Sequence, residues 1–178
     1  MEQKVLRAVM VCLLLMSMAI LGRETAAYVE TVNAVNALQG NNADTDGIPT
    51  VVIDAGHGGD DPGKIGINGA PEKDINLRIT EKLRQYLEAD GIRVVLTRET
   101  EDGLYDASAP NKKVQDMKRR IDKIEQTDPV LTVSIHQNSY HQEEINGGQV
   151  FYYKTSQNGK RLAEILQKRF DYVLGDKN

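Results

Sequence analysis

The sequence predicts an α/β fold, a mostly parallel twisted sheet with helices on both faces. Three observations carry that expectation. Short apolar runs rich in β-branched residues alternate with longer stretches of helical periodicity. The runs are apolar throughout rather than at every second residue, which is the pattern of strands covered on both sides. The 178 residues, 40% apolar and 27% charged, have an ordinary globular composition and are enough to bury a core without disulfides.

Each element has its own justification. Thr50-Val51-Val52-Ile53-Asp54 is the first strand. A Gly/Asp/Pro loop from Ala55 to Pro71 leads into a helix marked by Ile75, Ile79, Leu83 and Leu87, with Gly91 as the glycine just past its end. Ile92 to Thr97 is the second strand, and residues 98–110 form a polar loop. Val114, Met117, Ile121 and Ile124 mark the second amphipathic helix, and Val130 to Ile135 the third strand. Gln149 to Tyr153 reads as a fourth strand, and Leu162, Ile165, Leu166, Phe170 and Val173 as a third helix. The expected order is β-α-β-α-β-β-α, with no internal repeat.

The N-terminal part is different in kind. Lys4 and Arg7 precede an apolar run from Ala8 to Gly22, and Arg23 closes it. Those 15 residues reach roughly 22 Å as a helix, short of the roughly 30 Å hydrocarbon layer. Residues 1–27 are therefore expected to be a signal peptide or N-terminal anchor, with residues 8–22 as the segment for membrane attachment. The polar stretch 28–49 reads as a linker, and 50–178 as the folded domain. Cys12, the single cysteine, falls inside the apolar run, so the remainder has no disulfide and no thiol ligand or nucleophile. The formal charge is −4, and it becomes −6 once the three basic and one acidic residues of 1–23 are set aside. That balance excludes a nucleic-acid binder, which gains affinity by neutralising phosphates.

Ligands of open parallel sheets gather beyond the carboxyl ends of the strands. Two of the three histidines fall there: His57 follows strand one and His136 ends strand three. Glu72 opens the first helix on the same side. Two imidazoles and one carboxylate make a three-ligand set that leaves an open position for water on zinc. One histidine at a strand end is more often an ordinary surface residue, so the expectation depends on all three meeting. His141, in a polar loop, reads as solvated. The glycine-rich loop lacks Gly-Lys-Ser/Thr and G-x-G-x-x-G, and Asp60 and Asp61 would repel phosphate. A Gly-x-Ser-x-Gly nucleophile elbow is also absent.

Four motifs resemble those of the zinc-dependent N-acetylmuramoyl-L-alanine amidases. They are Val52-Ile53-Asp54-Ala55-Gly56-His57-Gly58-Gly59-Asp60-Asp61-Pro62-Gly63, Glu72-Lys73-Asp74-Ile75-Asn76-Leu77, Leu96-Thr97-Arg98 and Ser134-Ile135-His136-Gln137-Asn138. The similarity covers about residues 50–174. Leu104 to Lys123, Gln137 and Gly148 to Tyr153 are similar to the spore-cortex, CwlD-type subgroup. The resemblance implies an exopeptidase-like fold and a Zn²⁺ site of His57, Glu72 and His136, with Asn138 as a substrate contact or a strand-capping turn residue. It implies an exported hydrolase whose partner is peptidoglycan, cutting the amide between muramic acid and L-Ala on the muramic lactam route of the cortex. The family's later Val-Glu-x-Gly-Phe-type motif, which supplies a general-base glutamate, has no counterpart: Glu143, Glu144 and Glu164 do not match it. The expectation is that this glutamate lies beyond Asn178, that domain 50–178 lacks a last strand and helix, and that this form has little activity. The alternative is an inactive, metal-binding module attached to the wall.

Overall fold

The computed structural model describes residues 48–139 and 147–174. The leader and linker expected over 1–49, except for residues 48 and 49, lie outside the described residues, as do His141, Glu143 and Glu144. Among the described residues no helix is long and apolar enough to cross a membrane. The chain divides into two compact units, residues 39–143 and residues 1–38 with 144–178.

The first unit carries β1 (Thr50–Ala55), α1 (Glu72–Ala89), β2 (Arg93–Leu96), α2 (Lys112–Thr127) and β3 (Leu131–Ile135). Its three strands are all parallel, in the order β2-β1-β3. The apolar run at β1 takes the middle place, and five of its six residues are buried. Side chains alternate across a strand. Val51 and Ile53 pack with Leu96 against Leu83 and Leu87 of α1. Asp54, on the opposite face, pairs with Arg120 of α2. Helices therefore cover both faces, as expected.

Local chemistry explains the helix ends. The N–H of Gly91, at φ 79°, bonds Glu88 O, and that of Ile92 bonds Leu87 O, a pair of reversed bonds that closes α1 at its glycine. Asn111 caps α2 by accepting from the Val114 N–H at 3.0 Å. Asp128 ends it in a left-handed turn.

Two helix faces differ from the apolar periodicity. The buried side of α1 is Glu72, Asn76, Leu77 and Thr80, while Ile79 is exposed. The face of α2 turned to the sheet is built on buried Arg120, and Val114, Met117 and Ile121 are exposed. In both helices a polar side chain has work at the strand ends, and its hydrogen bonds offset the loss of an apolar contact there.

The second unit contains α3 (Gln157–Leu174), with Leu162 and Ala163 buried. The expected strand at Gln149–Tyr153 does not form. The Val150 N–H donates to Gln167 Oε1 at 3.0 Å, and Gln167 Nε2 donates to Gly148 O at 2.8 Å. A side chain of α3 thus takes backbone groups that a neighbouring strand would otherwise use. Glu164 pairs with Lys160 on the surface of this helix, as its position in the amphipathic pattern predicts.

The unit of residues 39–143 is tied together under the sheet end by Asp54. Its Oδ1 accepts from Thr97 Oγ1 at 2.7 Å and Arg120 Nη1 at 2.6 Å, and its Oδ2 accepts from Ser134 Oγ at 2.7 Å. Burial pushes this carboxyl up, but the Ser134 and Thr97 hydroxyls and the Arg120 charge outweigh it and hold it below the ordinary range. A lowered carboxyl stabilises the fold above its unfolded pKa of about 3.9, and the contribution is lost as pH falls through the folded value. Asp54→Asn is expected to lower unfolding free energy at pH 7 by about 3 kcal/mol, the scale of a broken buried ion pair. The gap from wild type should narrow below about pH 4. Urea unfolding at both pH values measures this; a gap that does not change with pH counts against it.

Candidate metal centre

Registry brings the ligand candidates together. Ala55 pairs with Ile135, and the Gly56 N–H bonds Ile135 O at 3.0 Å, so β1 and β3 end side by side. His57 and His136 leave those two ends, and their rings stand edge to face with centroids 4.9 Å apart. Glu72, the first residue of α1, reaches between them. Its Oε1 lies 3.2 Å from His57 Nε2 and 3.2 Å from His136 Nδ1. One ligand atom from each of the three lies within 4.8 Å of the other two. The structure thus brings together the three residues that the sequence nominates.

The carboxylate is buried and firmly held. Glu72 is 5% exposed. Its Oε2 accepts from the Lys64 N–H at 2.9 Å, and its Oε1 accepts from the Gln137 N–H at 2.8 Å and from Asn76 Nδ2 at 3.4 Å. Burial pushes the carboxyl up, but these donors and the nearby His57 outweigh it and hold it below the ordinary value. A buried anion facing two imidazoles is a donor set suited to a divalent transition metal, since imidazole and carboxylate oxygen are both ordinary zinc ligands. The residues present fit the group.

The outer partner of His57 is Asp61. Its Oδ2 lies 3.1 Å from His57 Nδ1. Burial pushes the Asp61 carboxyl up, but His57, the Gly63 N–H and Lys113 outweigh it and hold it at about 2. It is a carboxylate at any working pH, so it can accept from Nδ1–H while Nε2 faces the centre. Carboxylate–histidine pairs of this kind set the tautomer and ring orientation of metal ligands.

The loop backbone is shaped to match. His57 has φ 64°, a left-handed conformation that costs a residue with a Cβ roughly 1–3 kcal/mol. Gly63, at φ 65°, lies against the ligands: a Cβ there would stand 2.7 Å from His57 Cδ2 and 2.8 Å from Glu72 Oε2. A Cβ at Gly56 would overlap the His136 ring.

Asn138 stands exposed two residues past His136, and Gln137 touches the cluster through its N–H to Glu72 and its Nε2 to Asn76 Oδ1 at 3.1 Å. Asn76, Asp61, Arg98 and Arg120 contact the cluster or the loop that carries it, and sequence reasoning left them without a role there. A signal existed for Asn76, four residues after Glu72 and hence on the same helix face. The contacts of the two arginines run between distant segments, so no spacing announces them. Beside the loop, a cavity of about 260 Å³ is lined by Gly58, Asp60, Asp61, Tyr105, Lys112, Lys113 and Asp116. Lys112 pairs with Asp60 at 2.6 Å and Lys113 with Asp61 at 3.3 Å, so the cavity presents both signs of charge.

Residues 51–178 match the family described as N-acetylmuramoyl-L-alanine amidase. The chain belongs to this family. The amidase likeness extends to individual relatives. The germination-specific N-acetylmuramoyl-L-alanine amidase of Bacillus subtilis is 31% identical over 120 residues, which are 66% of this chain and 50% of that protein. N-acetylmuramoyl-L-alanine amidase LytC of the same organism is 35% identical over 131 residues, 72% of this chain and 24% of its own length. This chain therefore spans half or less of these two curated relatives. Among solved structures, the CwlD amidase of Clostridioides difficile, determined in complex with the GerS lipoprotein, is similar at 38% identity and TM-score 0.69, over 73% of this chain and 68% of that one. The catalytic domain of CwlV from Bacillus (Paenibacillus) polymyxa var. colistinus is similar at 31% identity and TM-score 0.55, over 68% and 62% of the two chains.

A metal held by these residues should stabilise the fold by mass action. Adding a slight molar excess of zinc is expected to raise the melting temperature of the wild-type protein but not of His57→Ala. Gly63→Ala, which pushes on two ligands without removing either, is expected to weaken zinc binding by about 10-fold or more, the scale of disturbed ligand support. Calorimetric titration reads both; wild-type affinity in Gly63→Ala would contradict the packing argument.

Proposed function

We propose that this amidase-family chain holds Zn²⁺ through His57, Glu72 and His136 and hydrolyses the amide joining the lactyl group of N-acetylmuramic acid to L-alanine in peptidoglycan. The observation that carries the proposal is the convergence of two imidazoles and one buried carboxylate at adjoining strand ends, in a chain of amidase kinship. Bound zinc would supply Lewis acidity, activating water and polarising the amide carbonyl.

The chain's own residues do the rest. Glu72, fixed by three donors, contributes negative charge without moving. Asp61 accepts a hydrogen bond from His57 Nδ1–H and so orients the ring with Nε2 toward the centre. The mixed-charge cavity beside the loop, with Lys112, Lys113, Asp60 and Asp61, suits a stem peptide that carries both ammonium and carboxylate groups. Asn138, exposed two residues beyond His136, is read as a substrate contact. Peptidoglycan lies outside the cytoplasmic membrane, so the reading includes export, with residues 8–22 as the targeting or anchoring segment. The kinship with a germination-specific amidase and a CwlD structure supports the cortex as the place of action.

The test is incubation of zinc-loaded protein with purified peptidoglycan, followed by mass spectrometry. The expected products are intact glycan strands with free lactyl carboxyls and peptides beginning at L-alanine. Cleavage between sugars, or no release of such peptides, would overturn the proposal.

A further inference from the structure

The three consecutive carbonyls of Ala55, Gly56 and His57 are all gripped by guanidinium groups. Arg98, just past β2, donates from Nε to Ala55 O at 2.9 Å and from Nη2 to Gly56 O at 3.2 Å and Lys73 O at 2.8 Å. Arg120, on α2, donates from Nη1 to Ala55 O at 2.8 Å and from Nη2 to His57 O at 2.6 Å. Both arginines are almost fully buried, at 2% and 3% exposure. Arg120 is itself locked: its Nη1 also meets Asp54 Oδ1 at 2.6 Å, and its Nε meets Asp116 Oδ2 at 2.7 Å. A guanidinium is a rigid planar fork, so two carboxylates on one part of it fix where the rest points.

His57 needs such a grip. Its left-handed φ is unfavourable for a residue with a Cβ and persists only where the surroundings over-determine it. The carbonyl that Arg120 holds belongs to His57, and its direction is set by the same residue's backbone. Asp61 acts on the ring, whereas Arg120 acts on the main chain.

We propose that Arg120 is a positioning residue for the metal ligand His57, holding its carbonyl and thereby the left-handed backbone that aims the imidazole at Glu72 and His136. The inference rests on reading those three residues as a metal centre. It also explains why a buried cation occupies the sheet-facing side of α2.

Zinc affinity, measured by competition with a chromophoric chelator, tests it in four proteins: wild type, Arg120→Lys, His57→Ala and the double variant. Lysine keeps a charge between Asp54 and Asp116, but one ammonium cannot serve all four partners. Arg120→Lys is expected to weaken zinc binding by about 10- to 100-fold in the wild-type background. In the His57→Ala background the same change should weaken it by less than about 2-fold, because the residue being positioned is gone. Equal losses in both backgrounds, or no loss in the first, would show a general structural role and overturn the inference while leaving the metal centre intact. Unchanged affinity in His57→Ala alone would overturn both. Should Arg120→Lys lack the wild-type circular dichroism spectrum, Arg120→Gln with Asp116→Asn, which removes the charge together with a counter-charge, takes its place in the same cycle.

Discussion

The carboxylate of Asp54 is the constraint on which the rest of this unit depends. It belongs to the middle strand and is bonded to a hydroxyl just past one neighbouring strand, a hydroxyl on the other, and a guanidinium from the helix above. A buried anion is tolerable only when its neighbours satisfy it, and here three polar groups from three segments are organised around that need. Strand order, the placement of α2 and the direction of the loop that follows all become one arrangement. Arg120 carries that order onward from the sheet to the loop carbonyls.

What was legible in the sequence follows from this division of labour. The sheet was legible because β1, β2 and β3 are short, largely apolar runs rich in β-branched residues. The histidines were legible because topology alone places strand ends together, and a paired register of Ala55 with Ile135 delivers them side by side. The helix faces were harder. Ile75 and Ile79 suggest an apolar stripe, but the buried side of α1 begins with Glu72, Asn76 and Thr80. An apolar period marks the core-facing side of a helix only where that side has no other task. Toward its C-terminal end, where Leu83 and Leu87 meet Val51 and Ile53, the period and the structure agree again.

The fourth strand shows a different failure. Gln149 to Tyr153 has the composition of a strand, but a strand needs a partner for its backbone. Gln167 supplies hydrogen bonds to Gly148 and Val150 from a helix side chain instead. Propensity describes which surface a segment would fit, and a local polar side chain can outbid it. The resemblance to amidases, in contrast, was carried by ordered motifs whose residues the fold then gathers at one end of the sheet.

The grip on the loop is made on carbonyl oxygens, which every residue type possesses. Position and identity are therefore separable at this centre. The scaffold decides where residue 57 stands, and its side chain decides what is bound there. Asparagine and aspartate tolerate left-handed backbone better than most residues, so they could occupy the same place without disturbing the frame. The site is in effect a socket with exchangeable contacts, and a lineage or a designer could retune its metal preference by changing the ligand while inheriting the framework unchanged.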